Sequence, residues 1–284
     1  MMAGLNPSDL FWLAGGLLLG GAATGLFAGL FGIGGGAIII PVLYEVFRIA
    51  GVPEVVRMPL CVGTSLAIIV PTSIASFRSH LARGAVDTSV LRQWAAPTVI
   101  GVVVGSLVAR YAPEALFKVV FVVVATTTSV RLLLARDNWR IADDFPKGPL
   151  MRLYGLIIGL LSSLMGIGGG QLCNLLMTFY GRPIHQAVAT SAGLGMIISI
   201  PGTIGYVYAG WPRAAEFPDV AALQFPLALG YVSLIGFVLV TPLSALMAPL
   251  GVRLAHALSK RQLEVGFGIF LLVVSLRFLL SLLG

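Results

Sequence analysis

Apolar residues fill long runs along the chain, interrupted by short polar stretches. Runs at about 10–30, 59–78, 92–110, 115–135, 150–165, 186–209, 223–248 and 263–283 have lengths near the 20 or so residues that a bilayer-crossing helix needs. Two further runs, 37–49 and 171–181, are too short to cross easily, and each directly follows the string GIGGG. A short amphipathic segment, Gly251–Leu258, is expected at a membrane surface. The longest polar stretch, Arg136–Arg152 (RDNWRIADDFPKGPLMR), divides the chain near its middle. The pattern predicts an all-α polytopic membrane protein of about 8–10 membrane segments. Residues 1–135 and 151–284 form two membrane units, and 136–150 a cytoplasmic linker.

Composition strengthens this. Only 10% of the residues are charged, against about 25% in soluble domains, and 58% are hydrophobic, so lipid must face most of the chain. The net charge of +7 does not call for nucleic acid, because Lys and Arg collect in the cytoplasmic loops of membrane proteins. The N-terminus lacks a basic n-region and an A-x-A cleavage site, so its apolar run reads as the first membrane helix. Cys61 and Cys173 stand in apolar stretches without metal-ligand spacing and read as small buried residues; no metal or other cofactor is expected.

The two units repeat one another. Gly21, Gly25, Gly32, Gly34, Gly35 and Gly36 recur at one constant offset as Gly155, Gly159, Gly166, Gly168, Gly169 and Gly170. Thr64-Ser65 recurs as Thr190-Ser191, and Gly105–Arg131 aligns with Gly251–Arg277 without gaps. Three blocks in the same order point to duplication. Charge then orients the halves. The loop Arg78–Arg92, with three Arg against one Asp, should be cytoplasmic, whereas its counterpart Trp211–Ala222, with Arg213 against Glu216 and Asp219, reads as external. The linker and the loop carrying Arg253, Lys260 and Arg261 read as internal, and Arg110–Glu114 as external. Matching loops fall on opposite sides, which predicts two inverted-topology repeats with both termini outside.

GIGGG cannot be a dinucleotide or P-loop motif, for want of a preceding strand, a soluble βαβ unit and a GK[ST] ending. Four glycines in five residues hold a helix poorly, at about 1 kcal/mol each relative to Ala. In lipid a broken helix is tolerated only where it is buried in protein or lines a cavity. Each break aims free N–H groups and the positive end of a helix dipole at the gap. Two such breaks, Gly32–Gly36 and Gly166–Gly170, would build an anion site near the midplane without a buried Lys or Arg. Gly21, Gly25, Gly155 and Gly159 read as helix-packing residues.

The residues GLFGIGGGAIIIPVL at Gly29–Leu43 and GTS at Gly63–Ser65, with their copies SLMGIGGG at Ser163–Gly170 and ATS at Ala189–Ser191, resemble the TauE/SafE (TSUP) family of bacterial sulfite exporters over nearly the whole chain. The resemblance implies a multi-pass inner-membrane transporter of sulfite, thiosulfate or organosulfonates. Thr64, Ser65, Thr190 and Ser191 are then candidate hydroxyl donors to the anion, the bland alternative being bonds to a carbonyl one turn earlier. Gln171 and Asn174, costly in lipid, are expected to face the cavity. The halves are unequal: Pro41 in the first has Leu175 as counterpart. Arg131 and Arg277 are expected to snorkel, and Arg57, Arg78 and Arg182 to draw anions to the mouths. Thr126–Ser129 is expected to bond back onto its own helix, and His80, His185 and His256 to be solvated near loops. The implied partners are a small anionic substrate, a coupling ion and the lipid bilayer, with room for a homo-oligomer. An anion channel would use the same breaks. No HExxH, paired acids or Ser/His/Asp set supports an enzyme.

Overall fold

A computed structural model describes residues 7–32, 35–134, 141, 142, 144–146, 148–216 and 227–283. The elements run α1 (Pro7–Phe31), α2 (Gly36–Ile49), α3 (Glu54–Leu81), α4 (Thr88–Tyr111), α5 (Glu114–Leu133), α6 (Pro149–Met165), α7 (Gly170–Phe179) and α8 (Ile184–Glu216). A two-stranded antiparallel hairpin, β1 (Ala228–Leu229) and β2 (Val232–Ser233), precedes α9 (Leu234–Ala257) and α10 (Lys260–Leu283). Among the described residues, seven helices are long and apolar enough to cross a membrane. The protein is therefore an all-α, multi-pass membrane protein. The apolar runs at 37–49 and 171–181 are indeed short helices, α2 with 14 residues and α7 with 10.

The last third differs from expectation. The apolar run 223–248 is not one helix, and Gly251–Leu258 is not a separate surface helix. Residues 223–226 lie outside the described residues. Leu227 and Gly230 have positive φ (61° and 57°), and the Leu234 N–H donates to the Leu227 carbonyl at 3.0 Å, closing the hairpin. Tyr231 and Val232 are buried, so their apolar character reflects packing rather than helix. From Leu234 the helix runs unbroken through Pro242 and Pro249 to Ala257, Pro being tolerated inside membrane helices. Trp211–Glu216, read as loop, ends α8; 217–222 lie outside the described residues.

α1–α2 and α6–α7 are helical hairpins. Gly20 faces Val42 and Gly35 faces Thr24, so α2 returns along α1. Gly169 lies against Ile158 and Ser162, and Tyr154 and Tyr180 meet through their hydroxyls at 2.7 Å, so α7 returns along α6. Of the linker, 136–140, 143 and 147 lie outside the described residues. Its Ile141 N–H donates to the Phe179 carbonyl at 2.9 Å, and Phe145 packs on Trp94 and Tyr180.

The halves interleave rather than pack separately. Gly21, Gly25 and Gly29 of α1 admit the backbone of Val240, Ser244 and Ala248 of α9. Gly155 and Gly159 of α6 admit Trp94 and Thr98 of α4 in the same way. A Cβ at Gly25 or Gly159 would strike the carbonyl oxygen of Ser244 or Thr98, which is the close approach that small residues permit. α3 and α8 cross with Leu66 by Gly202, Ser73 by Gly195 and Phe77 by Gly193, an antiparallel register. α5 and α10 are also antiparallel. Thr126 and Ser275 share a hydrogen bond (2.6 Å), Ser129 donates to Gly268 (2.7 Å) and Arg261 to Leu133 (3.0 Å). Only Thr127 and Thr128 bond back onto α5, to the Val123 and Val124 carbonyls. Arg131 does not snorkel; it is buried with its guanidinium 5.0 Å from the Phe179 ring centre.

Candidate functional site

Glycine sets both breaks. Gly32 and Gly35 have φ of 66° and 79°, and Gly166, Gly168 and Gly169 have 64°, 67° and 76°. Residues with a Cβ avoid this left-handed region at a cost of about 1–2 kcal/mol. Gly34, with Ile33, lies outside the described residues. The N–H groups of Gly32 and Gly166 close the last turns of α1 and α6 on Ala28 and Ser162, both at 2.9 Å, and the chain then reverses. α2 begins at Gly36 and α7 at Gly170. Their N-caps, Gly35 and Gly169, have no side chain to cap with, so the first-turn N–H groups lack the usual partner. Gly36 lies directly against the Gly166 carbonyl and the Ile167 backbone, so the two breaks touch.

The four hydroxyls behave as two matched pairs. Ser65 donates to the carbonyl of Gly166 at 2.7 Å, and Ser191 to that of Gly32 at 2.8 Å. Each serine thus holds the break of the opposite half. Thr64 accepts from the Ser233 N–H (2.8 Å) at the start of α9, and Thr190 from the Asp87 N–H (2.9 Å) at the start of α4. Only Ser191 also makes the anticipated bond one turn back, to Val188 at 2.9 Å. The duplicated hydroxyls are committed to backbone across the half-to-half boundary.

Gln171 behaves differently. It stands in the first turn of α7, is 1% exposed, and neither its amide oxygen nor its nitrogen has a hydrogen-bond partner. Such an orphaned amide costs roughly 1–3 kcal/mol. Asn174, one turn on, donates to the Phe31 carbonyl at 2.8 Å, tying α7 to the end of α1, and leaves its own oxygen unpaired. Thr24 beside Gly35 also has an unpaired hydroxyl. Cys61 and Cys173 are fully buried. Among the described residues no His, Cys, Asp or Glu cluster is arranged to hold a metal.

A buried ionic cluster escaped the sequence reading. Lys118 of α5 pairs with Glu114 (2.7 Å), and both reach the Tyr44 hydroxyl, at 3.2 and 2.9 Å. Arg57 lies over the Tyr44 ring and donates to the Val52 carbonyl at 2.8 Å, so it braces the end of α2 instead of standing free. The signal was the i, i+4 spacing of Glu114 and Lys118; nothing local put Tyr44 beside them. Arg277 pairs with Glu45, and Arg182 with Asp144 (3.6 Å).

Residues 17–278 match the family described as sulfite exporter TauE/SafE. A probable membrane transporter protein of Haemophilus influenzae is 33% identical over 268 residues, covering 93% of this chain and 97% of that protein. Another from Methanocaldococcus jannaschii is 28% identical over 278 residues, 93% of this chain and 94% of its own. No solved structure matches the chain.

Proposed function

The chain belongs to the TauE/SafE sulfite exporter family, a membrane transporter family, and from that premise we propose that it exports small sulfur-containing anions such as sulfite, thiosulfate or organosulfonates by alternating access around the two glycine breaks. The observation that carries this reading is Gln171. A buried, unpartnered amide beside two uncapped helix starts supplies donors with no protein acceptor. Backbone N–H groups of α2 and α7, the Gln171 amide and the positive ends of two dipoles, each worth roughly half an elementary charge, favour an oxyanion. Pyramidal and tetrahedral oxyanions offer several acceptors to such converging donors. The serines hold the breaks, the threonines tie α3 and α8 to the starts of α9 and α4, and the glycines let backbone approach. A site made of partial charges releases its anion readily, as an exporter must. The antiparallel pairing of α3 with α8 and of α5 with α10, each a helix and its own sequence copy, supports an inverted repeat.

Proteoliposomes holding the purified protein test this with sulfite, thiosulfate, sulfoacetate and taurine. Saturable uptake stimulated by the same anion on the opposite side is expected for one or more of them. Ohmic conduction would assign a channel instead, and no flux of any anion would refute the reading.

A further inference from the structure

The chain contains three histidines, and the structure brings all three together. They are not solvated singly, as their loop-side positions suggest. His80 of α3 is 1% exposed, with Nδ1 3.3 Å from Nε2 of His256 on α9 and Nε2 3.3 Å from the Gly29 carbonyl on α1. His185, at the start of α8, stacks its ring on His256 with centroids 6.0 Å apart. Four helices from both halves converge here.

The partners dictate the tautomers. The Gly29 carbonyl can only accept, so His80 Nε2 carries a hydrogen and, in the neutral ring, His80 Nδ1 is an acceptor. His256 Nε2 must then donate, which leaves His256 Nδ1 as the open base of the pair, on a residue exposed at the end of α9. One proton added at Nδ1 makes His256 an imidazolium and strengthens its bond to His80. A second proton would turn His80 Nδ1 into a donor facing a donor and place two cations in contact. The pair therefore accepts one proton intact and separates on the next. The other charged or titratable groups set against His80 are His185 from α8 and Arg83 beyond the end of α3; from α1 only the Gly29 carbonyl faces it.

The other half fills this place differently. Tyr206 follows Ser191 at the same sequence distance as His80 follows Ser65, and Ser163 precedes Gly166 as Gly29 precedes Gly32. The Tyr206 hydroxyl donates to the Ser163 carbonyl at 2.9 Å, the counterpart of the His80–Gly29 contact. A phenol, with an ordinary pKa near 10, does not titrate where imidazole does. Only one end of the molecule therefore carries a proton-responsive contact between α1, α3 and α9.

We propose that the His80–His256–His185 cluster is the proton site of the transporter, so that the coupling ion is H⁺, the first proton strengthening the α3–α9 contact and the second separating it, at one end only. This rests on the anion-transport reading, and two measurements separate them. NMR of the purified protein with 15N-labelled histidine, titrated from about pH 8 to pH 5 through the imidazole range, needs no substrate. Linked titration of the His80 and His256 rings is expected, with loss of that linkage in His256→Gln. Independent titration of three ordinary imidazoles, or none in that range, would overturn the proposal. In proteoliposomes, thiosulfate and sulfoacetate, both fully ionised anions, are followed with and without an imposed proton gradient. The gradient should change the rate for the native protein and not for His80→Gln or His185→Gln, the latter replacing the part-exposed member of the cluster. A gradient response unaltered in both variants would also overturn it. Absence of any anion flux would refute the transport reading while the titration still decides the proton site.

Discussion

Among the described residues, Gln171 is buried with both amide atoms unpartnered. A solely structural glutamine in the first turn of α7 would hold a partner, and this one has none on either amide atom. Replacing it by leucine removes the orphaned polar group at similar volume. Gln171→Leu should therefore unfold at a higher temperature in detergent, by the equivalent of about 1–3 kcal/mol, while raising the anion concentration for half-maximal transport at least about tenfold, the cost of roughly 1.4 kcal/mol of binding. Loss of stability with unchanged affinity would make Gln171 a packing residue. Ser65 and Ser191 should respond in the opposite sense. Each hydroxyl satisfies a buried carbonyl of the opposing break, at Gly166 and Gly32. Ser65→Ala and Ser191→Ala should each lower stability by about 1–3 kcal/mol, measured by thermal unfolding, and spare selectivity among anions. If either alanine variant keeps native stability but changes which anion is moved, that serine contacts substrate directly.

At the scale of elements, the glycines divide by what surrounds them. Gly25 and Gly159 permit the contacts of α1 with α9 and of α6 with α4, and a Cβ there strikes backbone that cannot move alone. Gly35 and Gly169 carry a left-handed backbone, and a Cβ would meet Thr24 and Ile198 respectively rather than open space. All four alanine variants should thus lose stability, Gly35→Ala and Gly169→Ala by at least about 1–2 kcal/mol from conformation alone. Transport per folded molecule, measured after removing misfolded protein by size exclusion, should fall for Gly35→Ala and Gly169→Ala and not for Gly25→Ala or Gly159→Ala. Equal activity per folded molecule in all four would move the anion site away from the breaks. The breaks themselves were legible because glycine encodes its conformation locally, and the short helices after them because length is read directly. The hairpin before α9 was not, since Ala228, Leu229, Tyr231 and Val232 are apolar for tertiary reasons and imitate a helix. The histidine cluster was hidden for a related reason: His80 and His256 are separated by 176 residues, and only the packing of α3 on α9 joins them.

Over the whole molecule, two ends can be told apart by their contacts. At one, Arg261 donates to the last carbonyls of α5, and His80 at the end of α3 meets His256 at the end of α9, near Arg83. At the other, Glu114 and Lys118 at the start of α5 meet Tyr44 of α2, and Glu45 takes Arg277 from near the C-terminus. Arg83, in the connection after α3, and Arg253, near the end of α9, stand at the first end close to the helix termini that the positive-inside rule weighs, whereas the cations of the second are neutralised or stacked. The first end is thereby expected in the cytoplasm. Because α10 runs from Lys260 at that end to Leu283 at the other, the C-terminus is expected outside. A reporter active only in the cytoplasm should give no signal when fused after Gly284 and a strong one when inserted in the linker at 136–140. The pair of fusions matters because a silent C-terminal reporter alone could reflect poor expression. A strong C-terminal signal with a silent linker would turn the molecule over and place the histidine cluster outside. Strong signals from both would break the antiparallel relation of α5 to α10, and with it the inverted repeat on which alternating access around the two breaks depends.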